Sequence, residues 1–188
     1  MQGIKVINNF LTQEECNFYI GYINSNIDKF LQTPETKRFA LLFGKDLAHK
    51  EKSNLDLSSI NDIEPLVKSI FSRTEKLIQE IYKNENKLYV CSFFIAKQIP
   101  GSVVKLHYDS DGGINTHFKY GGVIYLNTME NSGALEFPYI QYSYLPKAGD
   151  FVIFPSTDII YSHQVKQITE DRYSLPIWVT EDIGWKIN

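Results

Sequence analysis

Lys87-Leu88-Tyr89-Val90-Cys91-Ser92-Phe93-Phe94-Ile95-Ala96-Lys97 is dominated by apolar, aromatic and β-branched residues, with neither Gly nor Pro inside it, and it lies where the periodicity of the chain changes. It reads as a strand. Downstream the same pattern repeats. Short apolar or alternating runs divided by Gly, Pro, Asn and Asp predict further strands over Val103–Tyr108, Phe118–Leu126, Ala134–Phe137, Tyr142–Leu145, Asp150–Phe154, Ser162–Val165 and Arg172–Thr180. Many short strands without helices between them predict antiparallel sheets closed as a sandwich or jelly roll.

Upstream of residue 86 the spacing is helical instead. Thr12-Gln13-Glu14-Glu15 has the form of a capping box, in which hydroxyl and carboxylate each satisfy the other residue's free backbone N–H. Cys16, Tyr19, Ile20, Ile23, Ile27 and Phe30 then recur at steps of three and four and predict a helix with one apolar face. A second helix is predicted beyond a cap near Ser59–Asn61, with Ile63, Leu66, Val67, Ile70, Thr74, Leu77, Ile78 and Ile81 on one stripe and Pro65 tolerated in the first turn. Between them, Arg38–Phe43 reads as a strand and His49–Ser59 as a polar loop. The expected class is α+β, a jelly-roll core over 86–188 with the N-terminal helices of 1–85 packed on one sheet, and 1–188 forming a single domain.

With 43% hydrophobic and 22% charged residues, the chain can bury a core and is no disordered tail. A net charge of −3 lacks the basic excess that phosphate backbones demand, so nucleic acid as a partner gains no support. The two cysteines, Cys16 and Cys91, fall on predicted core faces and build no disulfide framework, which points to a reducing, cytoplasmic setting. No run is long and apolar enough to suggest a signal segment or a membrane helix, so no membrane partner is expected.

The chemistry concentrates in Val104-Lys105-Leu106-His107-Tyr108-Asp109. Residues two apart on a strand share a face, so His107 and Asp109 point together. An imidazole and a carboxylate form two-thirds of a facial metal triad, and a distant His should complete it. Of His49, His117 and His163, the last lies on a predicted strand, whereas His117 lies in a Gly-rich loop and His49 among charged residues. By the same alternation Arg172, Ser174, Pro176 and Trp178 share a face. If that face looks inward, Arg172 must find an anion, for which a carboxylate suits the planar fork; if outward, Glu170 or Asp171 would serve.

Taken together the segments resemble the 2-oxoglutarate- and Fe(II)-dependent oxygenases, in particular their prolyl 4-hydroxylase-like branch, over about Leu88 to Thr180. Pro100-Gly101 before His107-Tyr108-Asp109 resembles the family's turn into His-x-Asp. Tyr125-Leu126-Asn127, Ser132-Gly133-Ala134-Leu135-Glu136-Phe137-Pro138 and Pro146 to Phe154 resemble its next strands, and His163, Arg172 and Trp178 its closing residues. Two departures stand out: Ser132 replaces the first Gly of a Gly-Gly pair, and Ile99 stands where a Tyr is common.

The resemblance implies a double-stranded β-helix fold and a dioxygenase that hydroxylates an unactivated C–H. His107, Asp109 and His163 would hold Fe(II). Arg172 and Tyr125, with Ser174 as a third contact, would bind the far carboxylate of 2-oxoglutarate, O2 being the other cosubstrate and ascorbate an admissible auxiliary. The branch favours a peptidyl or protein side chain such as proline. Small molecules, a nucleic-acid dealkylase or base hydroxylase, and a non-catalytic cupin-like metal module are the competing readings, because fold alone does not select among them. The stretch from Asp109 to His117 reads as a flexible loop, either a lid or an ordinary connection, and Gly121-Gly122 as a strand bend.

Overall fold

The computed structural model describes residues 3–34, 36–44, 57–110 and 115–187. Among these residues, eleven strands and two α-helices follow one another as β1 (Lys5–Ile7), α1 (Gln13–Ser25), β2 (Leu31–Thr33), β3 (Arg38–Gly44), α2 (Glu64–Tyr82), β4 (Tyr89–Gln98), β5 (Val104–His107), β6 (Tyr120–Tyr125), β7 (Leu135–Phe137), β8 (Tyr142–Tyr144), β9 (Phe151–Pro155), β10 (His163–Val165) and β11 (Arg172–Thr180). They form a seven-stranded sheet, ordered β1-β9-β6-β11-β4-β3-β2, and a four-stranded sheet, ordered β5-β10-β7-β8. Every pairing is antiparallel. This is the expected α+β jelly roll, the double-stranded β-helix.

Alternation along the central strands sorts the residues into layers. Tyr173, Leu175, Ile177 and Val179 of β11, with Phe93 and Ile95 of β4, pack in one core with Cys16, Tyr19 and Ile23 of α1 and Val67, Ile70 and Ile78 of α2. The helices thus cover the outer face of the larger sheet. The opposite faces meet the smaller sheet through Val123, Tyr125, Leu135, Phe137, Val152, Phe154 and Val165. Both cysteines are buried and free, and burial pushes the Cys16 thiol up to about 11, as expected of a core residue that does not react.

The capping box forms as read: Glu15 N–H donates to Thr12 Oγ1 at 3.1 Å, and Thr12 N–H to Glu15 Oε2 at 2.8 Å. Glu15 also pairs with Arg73 at 2.7 Å, joining α1 to α2. The first helix is shorter than its apolar steps predict. The Asn26 side-chain amide donates to Tyr22 O at 2.9 Å, and its backbone N–H donates to Tyr22 O and Ile23 O, which closes the last turn; Ile27–Lys29 continues as a 3-10 turn and still delivers Phe30 to the core. Likewise Leu57–Ile60 forms a 3-10 turn, and α2 starts later than its predicted cap, with Ile63 at the N-cap and Pro65 in the first turn. The strands β1 and β2 were not anticipated. His49 and most of its predicted loop lie outside the described residues, as do residues 111–114 of the lid candidate. Among the described residues no helix is long and apolar enough to cross a membrane.

Candidate active site

Strand β5 ends at His107 and its neighbour β10 begins at His163, and the antiparallel register sets these two residues directly opposite each other. Their ring centroids are 4.5 Å apart. Asp109, just beyond β5, places Oδ1 3.8 Å from Nε2 of both rings. The three donor atoms all lie within 4.8 Å of one another, so the predicted triad is assembled.

Each part of the cluster is oriented by a neighbour. His107 Nδ1 lies 2.9 Å from Lys105 O and His163 Nδ1 3.1 Å from Tyr161 O. A carbonyl only accepts, so both Nδ1 atoms carry the hydrogen and both Nε2 lone pairs face the centre. Burial pushes the proton affinity of His163 down, and the nearby His107 adds to this against the opposing pull of Asp109. A neutral imidazole is the form that binds a metal. Ser156 Oγ donates to Asp109 Oδ2 at 3.0 Å and leaves Oδ1 for the centre. Rings of Phe137 and Phe154, with centroids 5.6 and 4.7 Å from that of His163, pack around it.

Gly121 does something other than ease a bend. It lies within the continuous strand β6, and a Cβ there would stand 2.6 Å from Asp109 Oδ2 and 2.9 Å from Ser156 Oγ. Glycine leaves room for the carboxylate to cross close over the backbone, and a Cβ would push it aside. Gly121→Ala should therefore displace Asp109 and lower metal affinity about 10–100-fold, the usual range when a ligand loses its support; a Mn(II) titration checks this, and wild-type affinity would remove the role assigned to Gly121.

The triad opens into a cavity of about 170 Å³ between the sheets, lined by Arg172, Ser174, Pro176 and Trp178 of β11 as alternation predicted, and by Phe94, Phe118 and Val123. Arg172 is only 4% exposed. Its Nη1 donates to Gln98 Oε1, while Gln98 Nε2 donates to Ser102 Oγ at 2.9 Å and Ser102 Oγ in turn to Thr36 O. Asn127 fixes the backbone on both sides of Arg172, donating from Nδ2 to Asp171 O at 2.9 Å and accepting from Tyr173 N–H at 2.8 Å. Glu170 and Asp171 take other partners: Glu170 accepts from Glu130 N–H, and Asp171 pairs with Lys97 at 2.8 Å.

Tyr125 is fully buried against Arg172, its ring centroid 5.2 Å from the guanidinium carbon, and faces Ser174 across the β6–β11 pair. Burial pushes its hydroxyl pKa up, and the Arg172 charge opposes that push. The Tyr125 hydroxyl and Arg172 Nε are buried without a hydrogen-bond partner of ordinary geometry, and among the described residues no carboxylate pairs with Arg172. An uncompensated buried cation costs several kcal/mol. A carboxylate delivered to this corner would satisfy the guanidinium and the hydroxyl together. The donor set of two neutral nitrogens and one carboxylate suits Fe(II), so the residues present fit both groups.

The Ser132 departure is accommodated: its Oγ lies 3.0 Å from both the backbone N and the hydroxyl of Thr169, and Gly133, at φ +76, runs beside the Arg172 side chain. His117 stacks on Trp185, with centroids 3.8 Å apart, and is no member of the cluster. The sequence reading passed over Gln98, Arg38 and Ser156. Gln98 lies one residue beyond the predicted end of its strand and shares the face of Ala96. Arg38 opens a strand whose inward face was not assigned, and Ser156 follows Phe154 at the strand period.

Residues 93–180 match the family model described as the 2OG-Fe(II) oxygenase superfamily. No curated protein matches the chain. Among solved structures, the viral collagen prolyl hydroxylase of Paramecium Bursaria Chlorella virus-1, in its 2OG complex, is 16% identical, with 94% of each chain covered and a TM-score of 0.68. A Pseudomonas putida prolyl-4-hydroxylase is 17% identical, covering 95% of this chain and 92% of that one, at 0.67. A prolyl hydroxylase of Trichoplax adhaerens, in complex with a hypoxia inducible factor oxygen degradation domain peptide fragment, is 19% identical, covering 96% and 84%, at 0.63. At these identities the likeness is one of fold. The matched segment runs from β4 through β11 with the His-Asp-His cluster at its centre; over it the chain is similar to the 2OG-Fe(II) oxygenase superfamily, and that match together with the assembled triad indicates a 2-oxoglutarate-dependent oxygenase.

Proposed function

We propose that the protein hydroxylates an unactivated C–H on a peptidyl side chain, with proline the favoured residue. The observation that carries the catalytic part is the coexistence, in one cavity, of the His107–Asp109–His163 triad and a buried guanidinium and hydroxyl that lack a carboxylate. The peptidyl part draws on the folds it resembles, which belong to prolyl hydroxylases, one of them bound to a peptide fragment.

In this reading His107, Asp109 and His163 hold Fe(II) through Nε2, Oδ1 and Nε2. Arg172 and Tyr125 grip the far carboxylate of 2-oxoglutarate, with Ser174 beside them, and so fix which end of the keto acid faces the triad. When bound, iron and keto acid supply the oxidising chemistry, in which 2-oxoglutarate and O2 become succinate and CO2 and a substrate C–H becomes C–OH. The protein's own part is aim and exclusion. Lys105 O and Tyr161 O hold the two imidazoles, Ser156 holds the carboxylate, and Phe94, Phe118, Val123 and Trp178 keep water from the reacting carbon. Residues 1–188 act as one unit, with 1–85 buttressing the core, and the two buried free thiols suit a cytoplasmic setting.

The test is succinate formation that requires Fe(II), O2 and 2-oxoglutarate together, followed by mass analysis of prolyl peptides for the gain of one oxygen. Succinate without an oxidised peptide would remove the peptidyl substrate and keep the dioxygenase. A folded preparation that binds neither Fe(II) nor keto acid would remove the site assignment as well.

A further inference from the structure

The β4–β11 ladder sets Gln98 directly opposite Arg172, and the β3–β4 ladder sets it opposite Arg38, so one row of the larger sheet carries a neutral amide between two cations. Residues opposite one another share a sheet face, and all three line the cavity that holds the triad. Arg38 lies along the sheet, its guanidinium carbon 5.4 Å from the centroid of the Phe94 ring, and has contacts of its own within the chain. Gln98 turns to Arg172 instead: Arg172 Nη1 donates to Gln98 Oε1. Gln98 is buried, and so is Ser102, its second partner.

The direction of this chain of hydrogen bonds is fixed from its far end. Thr36 O is a backbone carbonyl and only accepts, so Ser102 Oγ donates to it and turns a lone pair to Gln98 Nε2, 2.9 Å away. The amide must then present its oxygen to Arg172. Ser102 is held in turn by backbone bonds. Its N–H donates to Ile99 O at 3.0 Å, Gly101 N–H donates to Ile168 O at 2.9 Å, and Ile168 N–H donates to Ser102 O at 3.0 Å. The Pro100-Gly101 turn thus steers the Arg172 guanidinium through two side chains.

What this arrangement withholds from Arg172 is an anion. Glu170 and Asp171, its neighbours in sequence, are engaged by Glu130 N–H and by Lys97, and Asp109 belongs to the triad. The side chain that does touch the guanidinium is the neutral isostere of a glutamate. Glutamate there would neutralise Arg172 inside the protein, and a carboxylate arriving from outside would meet an anion already in place. Gln98 supplies the same geometry without the charge. It engages Nη1, while Nε is left without a hydrogen-bond partner of ordinary geometry beside a Tyr125 hydroxyl in the same condition.

We infer that Gln98 is a positioning residue that sets cosubstrate specificity: its side-chain oxygen orients the Arg172 fork without neutralising it, so that the full charge is kept for the far carboxylate of 2-oxoglutarate. This rests on the reading above in which Arg172 grips that carboxylate.

The test measures, by calorimetry on the Mn(II)-loaded full chain, the binding of 2-oxoglutarate and of 2-oxoglutaramate, in which the far carboxylate is replaced by an amide. Wild type should bind the acid about 100-fold more tightly than the amide, from charge-assisted hydrogen bonds to Arg172. Gln98→Glu exchanges one NH2 for one oxygen. It should weaken 2-oxoglutarate binding by at least about 100-fold, the effect of two like charges sharing one cation, and should bind acid and amide about equally. Its Mn(II) affinity should equal that of wild type. Gln98→Met keeps the length and loses the acceptor; it should weaken 2-oxoglutarate about tenfold, the worth of one hydrogen bond to a charged group, and keep a preference for the acid. The Met variant decides the matter if Gln98→Glu does not fold, and unchanged 2-oxoglutarate affinity in it would overturn the inference. So would a Gln98→Glu protein that still prefers the acid, or one that loses Mn(II) in step with the keto acid, which would make Gln98 a structural support only. Equal binding of acid and amide by wild type, or unchanged 2-oxoglutarate affinity in Arg172→Ala, would instead overturn the role of Arg172 and the inference with it.

Discussion

Asp109→Ala is expected to abolish succinate formation and to remove tight binding of a divalent metal. Asp109 is the one carboxylate of the cluster, and its Oδ1 is shared at 3.8 Å between the Nε2 atoms of His107 and His163. Without it two neutral imidazoles remain, with no anion to balance a dication and no third facial ligand. The loss should exceed the roughly 10–100-fold cost of deleting an outer hydrogen-bond partner of a ligand. Titration with Mn(II) measures the metal directly, independently of turnover. Retention of near wild-type metal affinity by a folded Asp109→Ala protein would show that the ion sits elsewhere.

Arg172→Ala should raise the concentration of 2-oxoglutarate needed for half-saturation by about 100-fold, from the loss of charge-assisted hydrogen bonds worth about 1.5–3 kcal/mol each. Metal binding should be spared, because Arg172 lies on the larger sheet, whereas His107 and His163 lie on the smaller one, and Arg172 is no member of the cluster. The contrast separates the two halves of the site. Arg172→Ala also leaves Gln98 Oε1 without its donor, so some loss of stability is expected, about 1–3 kcal/mol for a buried polar group left unpaired. Arg172→Lys restores the charge but not the fork and should recover only part of the keto-acid affinity. Titrating 2-oxoglutarate into the metal-loaded protein decides it, and unchanged affinity in Arg172→Ala would refute the assignment.

Most of the longer strands were readable because each is buried on both sides in different ways, one face on the helices and the other on the cavity. Phe93 and Ile95 against Phe94 and Ala96 illustrate it, as do Leu175 and Ile177 against Ser174 and Pro176. Strands of three residues such as β1 and β2 cannot display a period, and they escaped. The first helix was overextended because Ile27 and Phe30 keep the apolar step although Asn26 has ended the hydrogen-bonded ladder. At the site, His107 and Asp109 were legible from local spacing and His163 from its place on a predicted strand, whereas selecting Tyr125 needed the resemblance. The row Arg38–Gln98–Arg172 was not legible, since it arises from strand register, a long-range property that local pattern does not encode. Gly121 was misread for a similar reason. What it makes room for is a carboxylate from another strand's end, remote in sequence.

The middle of the larger sheet has an unusual history. β11 lies between β4 and β6 and pairs with both, yet it follows both in the chain. During synthesis at about 5–20 residues per second, β4 and β6 leave the ribosome several seconds before the strand that joins them. Each presents an unpaired edge in that interval, an invitation to association with other nascent polypeptides. The same delay applies to Arg172, which β11 carries, so the cavity acquires its buried guanidinium only when the two halves of the sheet are sewn together. Maturation of this protein is therefore a late event, and its most hazardous moment is the wait for its own last strand.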